Sequence, residues 1–127
     1  MELRKLPDAE FEIMRAVWNA GSAVTAPMLT AKLSQELPER DWKAQTVTTM
    51  LTRLEKKGFL RSKKTGKERD FFPAISEQEY FSLEAEGFRS RFKKSSLSSL
   101  VKALSGGESI SKEDADELRC WLDEVQV

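Results

Sequence analysis

Apolar residues recur along this chain at helical spacing, interrupted once by a short, strongly basic stretch. Phe11, Met14, Val17 and Trp18 form one such stripe, with Pro7 and Asp8 as a start and Gly21 as a stop, which predicts a helix over about Asp8 to Ala20. A second helix is expected from an N-cap at Thr25, with Pro27 in its first turn, where no amide donor is lost. Its apolar face is Met28, Leu29, Leu33 and Leu37, and Pro38 ends it. After the loop 38–42 a third helix is expected over about Lys43 to Lys57. Here Val47, Met50, Leu51 and Leu54 fall at i, i+3, i+4 and i+7, a core face, and Gly58 is the C-cap.

The other side of this third helix carries Lys43, Gln45, Thr46, Thr48, Thr49, Thr52 and Arg53. Threonine is a poor helix former because its β-branch restricts χ1, so a purely structural surface would favour Glu, Lys or Ala. A hydroxyl that bonds phosphates and base edges, with a methyl that packs on thymine, accounts for the choice if the face reads DNA. An ordinary solvated face is the competing reading. Phe59 to Thr65 and Lys67 to Ala74 read as two strands joined at Thr65-Gly66, with Arg61, Lys63, Lys64, Lys67 and Arg69 on the hairpin. These cations fit a wing that grips phosphates, or a solubilising tip that blocks edge pairing. Three helices and then a two-stranded wing is the order of a winged helix-turn-helix.

From Ser76 the character changes. Ser76 and Glu79 make a capping box for a helix with Phe81, Ala85, Phe88 and Phe92 on one stripe. Ser95 to Ser99 is a weak helical stretch that predicts a kink before Leu97, Leu100, Val101 and Leu104. Ser105-Gly-Gly-Glu is a break, and Ser111 caps a last helix with Ala115, Leu118, Leu122 and Val125 at 3-4-3 spacing, Trp121 beside them. Isolated helices cannot bury so many large apolar groups, so this half is expected to pack on a second copy. The fold class is therefore mainly α with a small β-hairpin wing: a winged helix-turn-helix over residues 1–75 and a helical dimerisation region over 76–127.

Composition changes this picture in one respect. Formal net charge is zero across 127 residues, yet the span from Lys43 to Arg69 holds nine Lys/Arg against Glu55 and Glu68. Residues 1–75 hold 14 basic and 10 acidic residues, and residues 76–127 hold 7 and 11, so one end suits a polyanion and the other protein or solvent. No run approaches the roughly 20 apolar residues of a membrane span. The start, Met1 to Leu6, lacks the apolar segment of a secretory signal, and the single Cys120 allows no internal disulfide; a cytoplasmic location is expected. With no histidine there is no His-based triad or His metal site, and no phosphate-binding glycine motif occurs. Neither catalysis nor a cofactor nor a metal is implied. Trp18 and Trp42 read as core, and Cys120 as a packing residue of the last helix.

Leu6-Pro-Asp-Ala-Glu-Phe-Glu-Ile-Met-Arg-Ala-Val-Trp18, Thr25-Ala, Trp42, Thr46-Val-Thr-Thr-Met-Leu-Thr-Arg-Leu-Glu-Lys-Lys-Gly-Phe-Leu60 and Phe71-Phe-Pro73 together resemble the BlaI/MecI/CopY family of repressors. The resemblance continues weakly to Leu118. It implies a homodimeric repressor that binds a palindromic double-stranded DNA operator, often with TACA/TGTA half-sites. By match to the motif, Thr46, Thr49 and Arg53 would contact DNA from the third helix, and Lys63, Lys64 and Lys67 from the wing. The copper-responsive branch ends in a cysteine-rich metal motif, whereas this chain has only Cys120. The β-lactam branch is cleaved at an Asn-Phe pair, and Ala103-Leu104 stands at the matching place here. A sensor protease and a small-molecule inducer both remain open at this point. So do two rival functions: a ligand-gated regulator resembling the PadR or MarR types, and a winged helix that docks an acidic protein.

Overall fold

The structure, a computed structural model, describes residues 3–125. In chain order it has α1 (Asp8–Ala20), α2 (Ala26–Glu36), a 3-10 turn (Pro38–Arg40), α3 (Ala44–Lys56), β1 (Leu60–Thr65), β2 (Glu68–Pro73), α4 (Glu77–Arg91), α5 (Leu97–Leu104) and α6 (Lys112–Glu124). Contacts divide the chain into two compact units, Met1–Phe88 and Arg89–Val127. That division lies further along than the change of character at Ser76. The reason is Tyr80, in the first turns of α4, whose ring is buried in the first unit.

In the first unit the core forms where α1, α2 and α3 meet, around Ile13, Met14, Val17, Leu29, Leu33, Val47, Leu51 and Leu54. Burying each of these side chains contributes about 1.5–3 kcal/mol, which offsets the poor helix propensity of the threonines in α3. The α1 stripe is turned slightly from the expected one: Ile13, Met14 and Val17 lie deepest, while Phe11 and Trp18 are half-buried. Those two rings join Phe59 and Tyr80 in an aromatic cluster with centroids 5.7–6.4 Å apart. On α2, Leu29 and Leu33 are buried and Leu37 is half-buried. Met28, expected on the same face, is 57% exposed, because it stands one residue, about 100° around the helix, from Leu29 and so off the stripe that Leu29, Leu33 and Leu37 form. Thr25 caps α2 through its Oγ1, which accepts from the Met28 amide. Trp42 is buried at the entrance to α3.

The join between α3 and the wing is short and fully hydrogen-bonded. Gly58 takes a φ of 90°, its amide donates to Glu55 O, and the Phe59 amide donates to Leu54 O. This is a Schellman close, in which the left-handed residue after the cap has no Cβ to clash. The chain enters β1 two residues later. The strands pair antiparallel from Leu60↔Pro73 to Thr65↔Glu68, and an Ala74 to Phe59 backbone bond of 2.8 Å extends the ladder. Gly66, with a φ of 66°, begins the two-residue loop, which asks a positive φ of its first central residue. Val24, between α1 and α2, exchanges both backbone bonds with Phe71 (2.9 and 2.7 Å) and so fixes the base of the wing to the helices.

In α4 the capping box forms as expected: the Glu79 amide donates to Ser76 Oγ, and Glu79 Oε1 accepts from the Ser76 amide. The serine run does not kink a continuous helix. It separates α4 from α5, and Ser96 caps α5 by accepting from the Ser99 amide. Serine side chains compete for backbone amides, which favours a cap over a helix interior. Ala103 and Leu104 form the end of α5, and Ser111 caps α6. Within the second unit none of the described residues is buried: Leu97, Leu104, Trp121 and Leu122 are among its exposed apolar side chains.

Candidate nucleic-acid interface

Helix α3 presents a face on which charge, hydroxyls and shape converge. Lys43, Gln45, Thr46, Thr49, Met50 and Arg53 line a shallow concavity of about 280 Å³. Helical geometry brings them together: Thr46, Thr49, Met50 and Arg53 are spaced three and four apart. The buried Val47, Leu51 and Leu54 fix the rotation of the helix and so aim this face outward. No side chain caps the start of α3, and its first turn holds no acid, so the positive end of the helix is left uncompensated.

The threonines divide into two kinds. Thr48 Oγ1 donates to Ala44 O (2.9 Å) and Thr52 Oγ1 to Thr48 O (3.0 Å), which leaves each hydroxyl only its acceptor lone pairs. Neither borders the concavity, whereas Thr46 and Thr49 do. Thr48, grouped with the other site residues from its position alone, therefore stands apart from them. Periodicity could have separated it, since two residues of helix put Thr48 about 160° around the axis from Thr46, on the other flank of the core stripe.

On the hairpin, cross-strand register assigns the cations to two faces. Lys64 is directly opposite Arg69, a like-charge pair, and Lys63 is opposite Asp70. Arg69 is engaged: its Nη1 donates to Ser62 Oγ (2.8 Å), and Ser62 donates to Glu55 Oε2 on α3 (2.6 Å). That chain of bonds ties the hairpin to α3, a structural task that the sequence pattern does not assign to Arg69. Lys63, Lys64 and Lys67 have no ion pair among the described residues and are exposed. A close like-charge pair such as Lys64 and Arg69 destabilises the free hairpin slightly, and a neighbouring phosphate would relieve it.

Glu10 escaped sequence reading altogether. It is 3% exposed, with Oε2 2.6 Å from Lys57 Nζ and Oε1 3.7 Å from Arg53 Nη1. The signal was present: Glu10, Ile13, Met14 and Val17 stand at i, i+3, i+4 and i+7, so an acid heads the buried stripe of α1. Near the α2–α3 turn, Glu12 also accepts from Arg40 at 2.6 Å.

The model of the penicillinase repressor family matches residues 6–124. The chain belongs to the penicillinase repressor family. It is 32% identical to the penicillinase repressor of Bacillus licheniformis over 126 residues, 96% of this chain and 94% of that one. It is 28% identical to the methicillin resistance regulatory protein MecI of Staphylococcus aureus strain N315, over 91% and 90% of the two chains. Among solved structures it resembles the DNA-binding domain of the repressor BlaI, at 33% identity and a TM-score of 0.53, covering 62% of this chain and 92% of that domain. A second similar structure is the monomeric form of B. licheniformis BlaI in complex with the blaP half-operator, with 33% identity and a TM-score of 0.50. The winged-helix fold and the resemblance to BlaI and MecI are thus borne out. No helix of the described residues is long and apolar enough to cross a membrane.

Proposed function

We propose that this member of the penicillinase repressor family is a sequence-specific DNA-binding repressor that acts as a homodimer on a two-fold symmetric operator. In this reading α3 lies in the major groove, whose width of about 12 Å admits a helix. Arg53, Gln45, Thr46 and Thr49 read base edges, while Lys43 at the helix start and Lys63, Lys64 and Lys67 on the wing hold phosphates. The observation that carries it is the concave, cationic, hydroxyl-bearing face of α3, on a fold similar to that of a BlaI structure solved with a half-operator.

The dimer is proposed on the apolar side chains that the second unit leaves in solvent, Leu97, Val101, Leu104, Leu118, Trp121 and Leu122, with half-buried Leu100 and Val125 beside them. Phe81, Phe88 and Phe92, in α4 and the turn after it, are exposed apolar side chains too and are included in the proposed dimer contacts. Exposed apolar surface on this scale marks an interface. The experiment is a mobility-shift titration of a palindromic TACA/TGTA duplex and a random duplex against salt. Specific binding should weaken with a log–log slope of about −0.9 per phosphate neutralised, and the random duplex should bind far more weakly. Absence of any salt-sensitive duplex binding overturns the reading.

A further inference from the structure

Glu10, on α1, is a buried acid of the first unit, and its carboxylate sits beside the last turn of α3 and the residue that caps it. Its two oxygens are divided. One is held closely by Lys57 Nζ at 2.6 Å, and the other faces Arg53 Nη1 at 3.7 Å. A carboxylate this deep must be matched by cations. Lys57 alone matches it; Arg53 makes the group one positive charge in excess, on the side that borders the concavity.

We propose that Glu10 is a positioning residue for base readout: it holds the Arg53 guanidinium over the concavity before DNA arrives. The proposal rests on the reading of α3 as the DNA-contacting helix. Arg53 has a side chain 55% exposed, and a free arginine there would lose several rotamers on engaging a base. A carboxylate fixed in the protein core removes part of that loss. It faces one guanidinium nitrogen at 3.7 Å, an ion pair without a hydrogen bond, so the donors of the planar fork are left for the base edge. The 3.7 Å separation is loose enough for Arg53 to shift onto the base without first breaking a tight ion pair.

A carboxylate that served only to pin α1 to the end of α3 would need Lys57 and not Arg53. Four variants separate the two roles. The probes are the palindromic duplex that the wild-type chain enriches from a randomised library, and a random duplex of equal length. Glu10→Gln should lower the ratio of the two affinities about tenfold, a loss confined to the base pairs that Arg53→Ala also relaxes, with random-duplex affinity unchanged or raised. Glu10→Gln combined with Arg53→Ala should discriminate no worse than Arg53→Ala alone. Lys57→Gln removes the close pair and leaves Arg53 facing Glu10, so it should lower the melting temperature yet keep the wild-type ratio.

If Glu10→Gln lowers the melting temperature while the ratio stands, or if Lys57→Gln reproduces the loss of discrimination, Glu10 is a pin and the proposal is overturned. If Arg53→Ala itself leaves discrimination intact, the assignment of base readout to Arg53 fails first. Should Glu10→Gln not reach the native circular dichroism spectrum, Glu10→Asp replaces it. The shorter carboxylate cannot span both cations, and an unchanged ratio for that variant also overturns the proposal.

Discussion

Tyr80 is the residue on which the start of the chain and the start of α4 meet. Its Oη accepts from the Leu6 amide at 2.7 Å, and its ring packs on Phe11, Trp18 and Phe59. Burial pushes the phenol pKa up from 10.0 to about 12, helped by its hydrogen bond to Glu84. Because the folded value is the higher one, the unfolded chain ionises first. The stabilisation is therefore complete below pH 10 and is lost as pH rises from 10 through 12. The melting temperature of the wild type should fall more steeply across that window than that of Tyr80→Phe. At neutral pH, Tyr80→Phe should cost about 1–3 kcal/mol in urea unfolding, since it leaves the buried Leu6 amide without its acceptor. The threonines of α3 give a second test at this scale. Thr52→Ala removes a β-branched residue whose hydroxyl is already spent on Thr48 O, so unfolding should show a gain of up to about 0.7 kcal/mol with operator discrimination unchanged. Thr46→Ala, on the concave face, should instead reduce discrimination in the same mobility-shift comparison.

At the scale of elements, the wing and α3 behave as one piece. The Schellman close at Gly58, the Glu55–Ser62–Arg69 chain of bonds and the Val24–Phe71 bridge leave the hairpin base little freedom against the helix. Lys63→Ala combined with Lys64→Ala should weaken binding to every duplex alike. The salt slope should shrink in magnitude by about 1 for each phosphate that the wing no longer neutralises. A weakening limited to one operator would contradict the phosphate role. Much of this arrangement was legible in the sequence, because Val47, Met50, Leu51 and Leu54 set the helix phase and Thr65-Gly66 set the turn. What was not legible depends on distance along the chain. Glu10 lies 47 residues from Lys57, and its partners were invisible to any local pattern. The Val24 bridge is a single backbone pair with no periodicity to announce it. The serine run reads as a kink from its pattern and forms a cap in the structure, because the two differ only in the hydrogen-bond partners of Ser96.

For the molecule as a whole, the neutral total conceals a basic first part and an acidic remainder, and among the described residues from 89 onward no side chain is buried. Leu118→Asp or Leu122→Asp should yield monomers in sedimentation and remove tight operator binding, because each half-site alone offers a small binding surface. A chain that is monomeric at micromolar concentration and still binds tightly would contradict this architecture. The bare second unit has a further consequence for the protein in a cell. If the last helices gain their apolar cover only from another copy, their stability follows mass action and rises with the amount of protein present. Dilution, as when synthesis stops and cells divide, would then act on occupancy twice: by lowering the number of repressors, and by exposing in each lone chain the loosened segments on which proteases act.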